Sequence, residues 1–170
     1  MSSWFRAYGF GEILDGLLIG AYPLDVSDVG MLQMMGVQRV LNLCEDDEYA
    51  SGQRPAVETA LAEAGIEEQR ISLTDFGGLP ADRLERAVTT IDGWLDGGQV
   101  AYVHCRAGWQ RSATVGAAVV AAREGLDPEQ ALAWVKRAKP SAEPLEHQRE
   151  DLQRWFDERA ATPPRADAAP

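Results

Sequence analysis

The chain has 170 residues, of which 45% are hydrophobic and 25% are charged, a composition typical of one soluble globular domain. Its formal net charge of −11 argues against nucleic acid or an anionic membrane as a general partner. Two cysteines are too few for a disulfide framework, and the sequence shows neither a membrane-length apolar run nor a signal peptide. We therefore expect a cytoplasmic protein without integral membrane association.

The first half of the sequence predicts strands and helices in alternation. A short apolar run predicts a strand over 17–20, and Ser27 or Asp28 is a candidate N-cap for a helix that Gly36 would end. A buried strand is predicted over 38–43. An acidic loop follows it, and a helix starting near Pro55 comes next.

The second half continues this alternation. Strands are predicted over 67–73 and 99–104, and helices over 80–95, 112–123, 128–138 and 143–159. The pattern predicts an α/β fold with a mostly parallel central sheet of four to five strands flanked by helices. We expect one domain over 1–160 and a disordered tail over 161–170, and a functional site at the carboxyl ends of the strands.

The segment "VHCRAGWQRSA" has the most specific chemistry in the sequence. Cys105 and Arg111 enclose five residues between a predicted strand and a predicted helix, a loop long enough to curl around one tetrahedral anion. Gly108 permits a positive φ in that curl, and the arginine fork holds two oxygens. The candidate phosphate-binding residues are Arg106, Ala107, Gly108, Trp109, Gln110 and Arg111.

A cysteine in this position is a candidate nucleophile. The helix terminus and Arg111 favour the thiolate of Cys105, so we expect a depressed thiol pKa. A thiolate beneath a bound phosphate attacks phosphorus. The competing interpretation is a buried structural cysteine beside a surface arginine.

The same segment resembles the signature loop of the dual-specificity members of the cysteine-based protein-tyrosine-phosphatase superfamily, His-Cys-x-x-Gly-x-x-Arg-Ser/Thr. "ILDGLLIGAY", "MGVQRVLNL" and "LDPEQALAWVKRAKP" are similar to other parts of these domains, in the same order, so that the resemblance covers about residues 13–156. It implies the phosphatase fold and hydrolysis through a cysteinyl-phosphate. That chemistry requires no metal and no cofactor.

The resemblance also implies roles for three further residues. Asp75 in "SLTDFGG" matches the general acid that protonates the leaving oxygen and then activates water, although it also suits an ordinary turn aspartate. Ser112 matches the hydroxyl that stabilises the departing thiolate, and it also suits an N-cap. His104 would hydrogen-bond around the loop as structural support and help lower the thiolate pKa.

Other features leave alternatives open. Trp109 and Gln110 are expected at the pocket mouth, while Arg106 adds positive charge there. Cys44 ends a predicted strand, and oxidation could join it to Cys105, although a small buried core residue is the simpler interpretation. The acidic run at 45–48 is interpreted as a solvated loop rather than a metal site.

The sequence leaves the substrate open. The first interpretation is a phosphatase for phosphoproteins, on tyrosine and with serine and threonine as further candidates. The second is a lipid-phosphate or other small-molecule phosphatase of the phosphatidylglycerophosphate type, since "EDDEY" and "RISLTDFGGLP" resemble that subgroup. A non-catalytic phosphate-binding module is a third interpretation, which the joint presence of Cys105, Arg111, Ser112 and Asp75 argues against.

Overall fold

Five strands form one sheet at the centre of the computed structural model, which describes residues 1–161. The strand order is β1-β2-β5-β3-β4, with β1 antiparallel to β2 and the other pairs parallel. This confirms the predicted α/β fold with a mostly parallel sheet. The strands are β1 (Phe10–Leu14), β2 (Leu17–Ala21), β3 (Arg39–Asn42), β4 (Glu67–Arg70) and β5 (Ala101–Cys105).

The helices lie on both faces of this sheet. They are α1 (Ser3–Tyr8), α2 (Val26–Met34), α3 (Gln53–Glu63), α4 (Ala81–Asp96), α5 (Arg111–Glu124), α6 (Pro128–Ala138) and α7 (Glu146–Ala161), with a short 3-10 turn over Asp46–Glu48. The predicted tail over 161–170 lies outside the described residues, except for Ala161, which ends α7. Within residues 1–161 no helix has both the length and the apolar character needed to cross a membrane.

The hydrophobic core is divided by the sheet into two clusters. One packs α4, α5, α6 and α7 on one face, and the other packs α1, α2 and α3 on the opposite face. Side chains of β5 alternate between them, because successive residues of a strand point to opposite faces. Val103 and Cys105 therefore belong to the first cluster and Tyr102 to the second.

Local sequence signals explain most element ends. Asp127 and Gln130 form a capping box at the start of α6, with Pro128 in its first turn. Helix α2 is capped by Asp25, whose carboxylate accepts from the backbone of Ser27 and Asp28. The predicted caps Ser27 and Asp28 are therefore wrong by two or three positions.

Two elements at the start of the chain were not predicted individually from the hydrophobic pattern. Helix α1 has only six residues, too few for a helical period to be recognised. Strand β1 buries only Gly11 and Ile13, so its inward face contributes one large apolar side chain. Both elements are held by tertiary contacts rather than by propensity.

Candidate active site

The loop between β5 and α5, residues 105–111, is fastened to its surroundings by backbone contacts; we call it the Cys105 loop. Arg106 accepts a hydrogen bond from the Tyr22 amide at 3.2 Å, and Trp109 accepts one from the Glu143 amide at 2.7 Å. Gly108 has φ 74°, and a Cβ there would lie 2.4 Å from the carbonyl carbon of Gly20. Only glycine therefore fits at this position without displacing β2.

Cys105 ends the central strand and lies at the amino end of α5. Its side chain is buried, and its Sγ lies 3.4 Å from Ser112 Oγ, within hydrogen-bond distance. Helix α5 begins at Arg111 with Gln110 as its N-cap residue, so Ser112 is inside the first turn and is not the cap. The Ser112 hydroxyl is therefore not engaged in capping the helix and can hydrogen-bond to the Cys105 sulfur. The positive end of the helix faces the loop.

Arg111 is almost fully buried, and most of its donors are already engaged. Its Nη1 and Nη2 each donate to a carboxylate oxygen of Glu48 at 2.6 Å, and Nη2 also donates to Asp75 Oδ1 at 2.7 Å. Burial acts to lower the pKa of Arg111, but the hydrogen bonds and charge of Glu48 outweigh it and raise the pKa above its ordinary value. The buried Nε has no partner in the described part of the chain, so it remains available to an anion.

Glu48 is a residue of the candidate site that the sequence did not predict. It lies in the 3-10 turn after β3, where its carboxylate also accepts from the Glu45 amide at 2.8 Å, and its side chain is only 6% exposed. The interpretation of 45–48 as a solvated run is therefore wrong for Glu48, although Asp46 and Asp47 are exposed. The available signal was the position of the run directly after a strand, at the carboxyl edge of the sheet.

Asp75 lies in a tight turn within residues 74–80, which we call the Asp75 loop. The Gly77 amide bonds to the Thr74 carbonyl at 2.9 Å, and Phe76 has φ 57°, a conformation that costs a bulky side chain about 1 kcal/mol or more. Asp75 is thus a turn residue, as one interpretation expected, and it also reaches Arg111. Its role as a general acid stays a prediction.

Helix α7 holds the Asp75 loop from the other side. The buried Gln148 amide donates to the Gly77 carbonyl at 3.0 Å, and a ring nitrogen of His147 lies 3.1 Å from the same oxygen. Asp151 accepts from the Leu79 amide at 2.7 Å. These contacts fix the backbone that carries Asp75.

His104 points to the face of the sheet opposite Cys105, and it is 1% exposed. Burial, with help from the charge of Arg54, lowers its pKa to about 3, so the ring is neutral at pH 7. Its Nδ1 has no hydrogen-bond partner within residues 1–161. The expected support of the loop by His104 stays a prediction, and a neutral ring cannot supply it through a positive charge.

Cys44 follows β3, the strand beside β5, and it is fully buried as a free thiol. Burial raises its pKa, and the nearby charge of Cys105 acts in the same direction. Because β3 pairs with β5, both cysteines lie at the carboxyl edge of the sheet. A disulfide between them stays a prediction, which peptide mapping after mild peroxide would test.

A pocket of about 360 Å³ opens above Cys105. The predicted mouth residues Trp109 and Gln110 line it together with Arg106, Ala107 and Asp75. Three aromatic side chains that the sequence analysis did not assign to the site also line it: Trp4, Tyr8 and Phe76. No group of three or more metal-ligating side chains occurs within residues 1–161.

Comparison with known proteins gives concordant results. Residues 18–158 match the family described as dual specificity phosphatase, catalytic domain. The human protein named phosphatidylglycerophosphatase and protein-tyrosine phosphatase 1 is 30% identical over 72% of this chain. That alignment covers 61% of the human protein, so the chain spans less than two thirds of this relative.

Solved structures of similar proteins have the same fold as this chain. The crystal structure of PTPMT1 superposes with a TM-score of 0.78 over 90% of this chain and 97% of that one, at 27% identity. PTPMT1 in complex with PI(5)P gives a TM-score of 0.77 over 89% and 97%, at 25% identity.

Proposed function

Because this chain belongs to the dual-specificity phosphatase family, we propose that it hydrolyses phosphate monoesters through a cysteinyl-phosphate intermediate, with phosphotyrosine proteins as the first substrate class. The observation that carries the proposal is the juxtaposition of four side chains. Cys105 Sγ lies against Ser112 Oγ at the amino end of α5, and Arg111 of the same loop reaches Asp75. A site that only bound phosphate would need neither the thiol nor the carboxylate.

In the proposed complex the phosphate lies in the Cys105 loop. The amides of Arg106 to Gln110 and the positive end of α5 stabilise its charge, and Arg111 contributes its free Nε. Glu48 holds the guanidinium in place before the substrate arrives. These groups also stabilise the equatorial oxygens of a loose, metaphosphate-like transition state, so catalysis requires little rearrangement.

Two transfers complete the reaction. In the first, the Cys105 thiolate forms the S–P bond while the P–O bond to the leaving group breaks and Asp75 donates a proton to the departing oxygen. In the second, Asp75 accepts a proton from water as the water attacks phosphorus and the S–P bond breaks. Ser112 donates a hydrogen bond to the released thiolate.

A phospholipid monoester is the second candidate substrate, and the named relatives favour it. One relative's name contains both phosphatidylglycerophosphatase and protein-tyrosine phosphatase, and PTPMT1 has been crystallised with PI(5)P. The net charge of −11 acts against binding to an anionic membrane surface, which is why phosphoprotein comes first. A cytoplasmic location is part of the proposal, because a thiolate nucleophile requires a reducing compartment, and cell fractionation tests it.

Hydrolysis of an aryl phosphate in the presence of EDTA tests the activity directly. We expect turnover by the wild type, none by Cys105→Ser, and a rate lower by about 10²–10⁴-fold in Asp75→Asn. Cys44→Ser and Asp47→Asn are the matched controls, a second buried thiol and an exposed carboxylate. Wild-type protein that binds phosphate but does not turn over would replace this proposal with the binding-module interpretation.

The substrate class is tested next, with the active wild type. Phosphotyrosine peptides are compared with vesicles that contain PI(5)P or phosphatidylglycerophosphate. The proposal expects the higher kcat/KM on the peptides. A higher value on the vesicles would make the lipid the substrate and leave the chemistry unchanged.

A further inference from the structure

Helix α1 is a six-residue element that forms one side of the pocket. A helix this short has no stability of its own in water, so its position depends on what holds it. Phe5 is fully buried in the second core cluster and anchors the middle of the helix. Two buried charged side chains, Asp28 and Lys139, hold its ends.

Asp28 holds the amino end of α1. It is fully buried, and it accepts hydrogen bonds from the Ser2 amide at 2.6 Å, from Ser2 Oγ at 2.6 Å and from the Leu24 amide at 2.9 Å. Within residues 1–161 it has no ion pair with a basic side chain. Because an isolated buried carboxylate is costly, these hydrogen bonds are what make its burial tolerable.

Lys139 holds the carboxyl end. It is 3% exposed, and its Nζ donates to the Tyr8 carbonyl and to Ser141 Oγ, both at 2.8 Å. In the described part of the chain no carboxylate pairs with it. Burial lowers its pKa, and the charge of Cys105 acts in the opposite direction. An acid at the amino end and a cation at the carboxyl end also match the helix dipole.

Two aromatic rings of the docked helix lie beside the Cys105 loop. Trp4 and Tyr8 lie with ring centroids 4.1 Å apart, and Tyr8 contacts Trp109 at 5.1 Å. All three line the pocket that contains Cys105. The rings of Trp4 and Tyr8 therefore line the same pocket as the Cys105 thiol.

We propose that α1, docked by Asp28 and Lys139, is a specificity element whose Trp4 and Tyr8 select phosphate monoesters with an aromatic leaving group, such as phosphotyrosine, over alkyl phosphates. The inference rests on the proposed hydrolysis. An aromatic leaving group packs against these rings in offset or edge-to-face geometry, whereas a serine or threonine side chain leaves that surface uncovered. No charged side chain of α1 takes part in this selection.

The test compares Trp4→Ala and Tyr8→Ala with the exposed control Ser3→Ala on the same helix. Each truncation should lower kcat/KM for a phosphotyrosine peptide by about threefold to tenfold, the value of one aromatic contact. The rate on the matched phosphothreonine peptide and the inhibition constant of inorganic phosphate should not change. Tyr8→Phe and Trp4→Phe keep a ring and should retain most of the activity.

The anchors are tested by Lys139→Met, which removes the donor to the Tyr8 carbonyl. It should reproduce the selective loss of Tyr8→Ala and increase hydrogen exchange of the α1 amides. A loss of phosphate inhibition equal to the loss of tyrosine-peptide activity would overturn the inference, because α1 would then only support the Cys105 loop. Unchanged kinetics in the truncations would also overturn it. A wild type without Cys105-dependent turnover would instead overturn the proposed function on which it rests.

Discussion

At the scale of the residue, Arg111 shows how the site is held ready before substrate arrives. Both of its terminal nitrogens donate to protein oxygens. Two of these oxygens belong to the carboxylate of Glu48, which is a bidentate partner. A guanidinium fixed in this way loses less conformational freedom when it binds phosphate. Glu48 is therefore expected to act on turnover through Arg111.

We expect Glu48→Gln to lower kcat/KM for an aryl phosphate by about tenfold, because one charged acceptor of the guanidinium becomes a neutral amide with a single acceptor oxygen. Steady-state kinetics measures the effect, and thermal unfolding confirms that the variant is folded. Asp47→Asn, an exposed neighbour in the same turn, should behave as wild type. If Glu48→Gln matches wild type, the carboxylate is a packing residue only.

The burial of His104 predicts how the free energy of unfolding depends on pH. Its pKa is lowered to about 3 in the folded protein, while the unfolded chain has the ordinary value near 6.5. Between these values the unfolded state binds the additional proton, so the free energy of unfolding falls as the pH falls. From pH 6.5 to about pH 5 we expect a loss of about 2 kcal/mol from this residue alone.

Urea unfolding of wild type and His104→Gln at several pH values measures this contribution. The variant should be less stable at pH 7 but should lose about 2 kcal/mol less on acidification, since glutamine does not titrate. If the free energies of unfolding of the two proteins changed with pH in parallel, the ring would not be buried in its neutral form.

The sequence predicted which residues the structure brings together where those residues are close along the chain. Cys105, Arg111 and Ser112 lie within one strand–loop–helix unit, so their spacing specifies the geometry. Glu48 joins them from another loop, through a contact between residues 63 positions apart that the spacing of Cys105 and Arg111 does not specify.

At the scale of the element, α7 acts as a support for the Asp75 loop. Three of its side chains bond to backbone atoms between Gly77 and Leu79, just after Asp75. The loop also contains Phe76 in a strained conformation, so these bonds oppose its relaxation. Helix α7 thus fixes the backbone that carries Asp75, the proposed general acid.

Gln148→Leu should weaken general-acid catalysis, because the Gly77 carbonyl loses its buried donor. We expect a larger loss of kcat for a phenyl phosphate, whose leaving group needs protonation, than for a p-nitrophenyl phosphate, whose leaving group does not. Gln153→Ala, on the exposed face of the same helix, is the control. Equal losses on both substrates would assign Gln148 a general structural role.

The hydrophobic pattern predicted the main strands and most helices because each buries a face with the right period. Strand 67–73 was predicted too long: β4 ends at Arg70, although the Ile71 and Leu73 amides still bond to Asn42 and Leu43. Helix α1 was missed because six residues are too few to show a helical period, and Asp28 and Lys139, which bond to its ends, are distant in sequence.

At the scale of the whole molecule, the two core clusters pack on opposite faces of one sheet. β5 contributes side chains to both, so neither face can lose its packing without exposing the other. A single domain over 1–160 therefore predicts that the two faces unfold together.

We expect one unfolding transition in urea, with coincident midpoints by far-ultraviolet circular dichroism and by tryptophan fluorescence. Trp155 reports on the α7 side and Trp4 on the α1 side, so single-tryptophan variants give the two faces separate probes. Midpoints that differ between the two probes would mean that the faces unfold independently.

The position of β5 in the chain has a consequence for biosynthesis. It is the last strand of the described sheet, yet it lies between β2 and β3, and the Tyr102 hydroxyl bonds to the Ala21 carbonyl across 81 positions. While the ribosome has exported only the earlier strands, β2 and β3 have no partner between them and expose apolar side chains. Ribosome-arrested chains that end before β5 should therefore bind chaperones and be cut readily by protease. Chains that extend beyond α7 should resist cleavage.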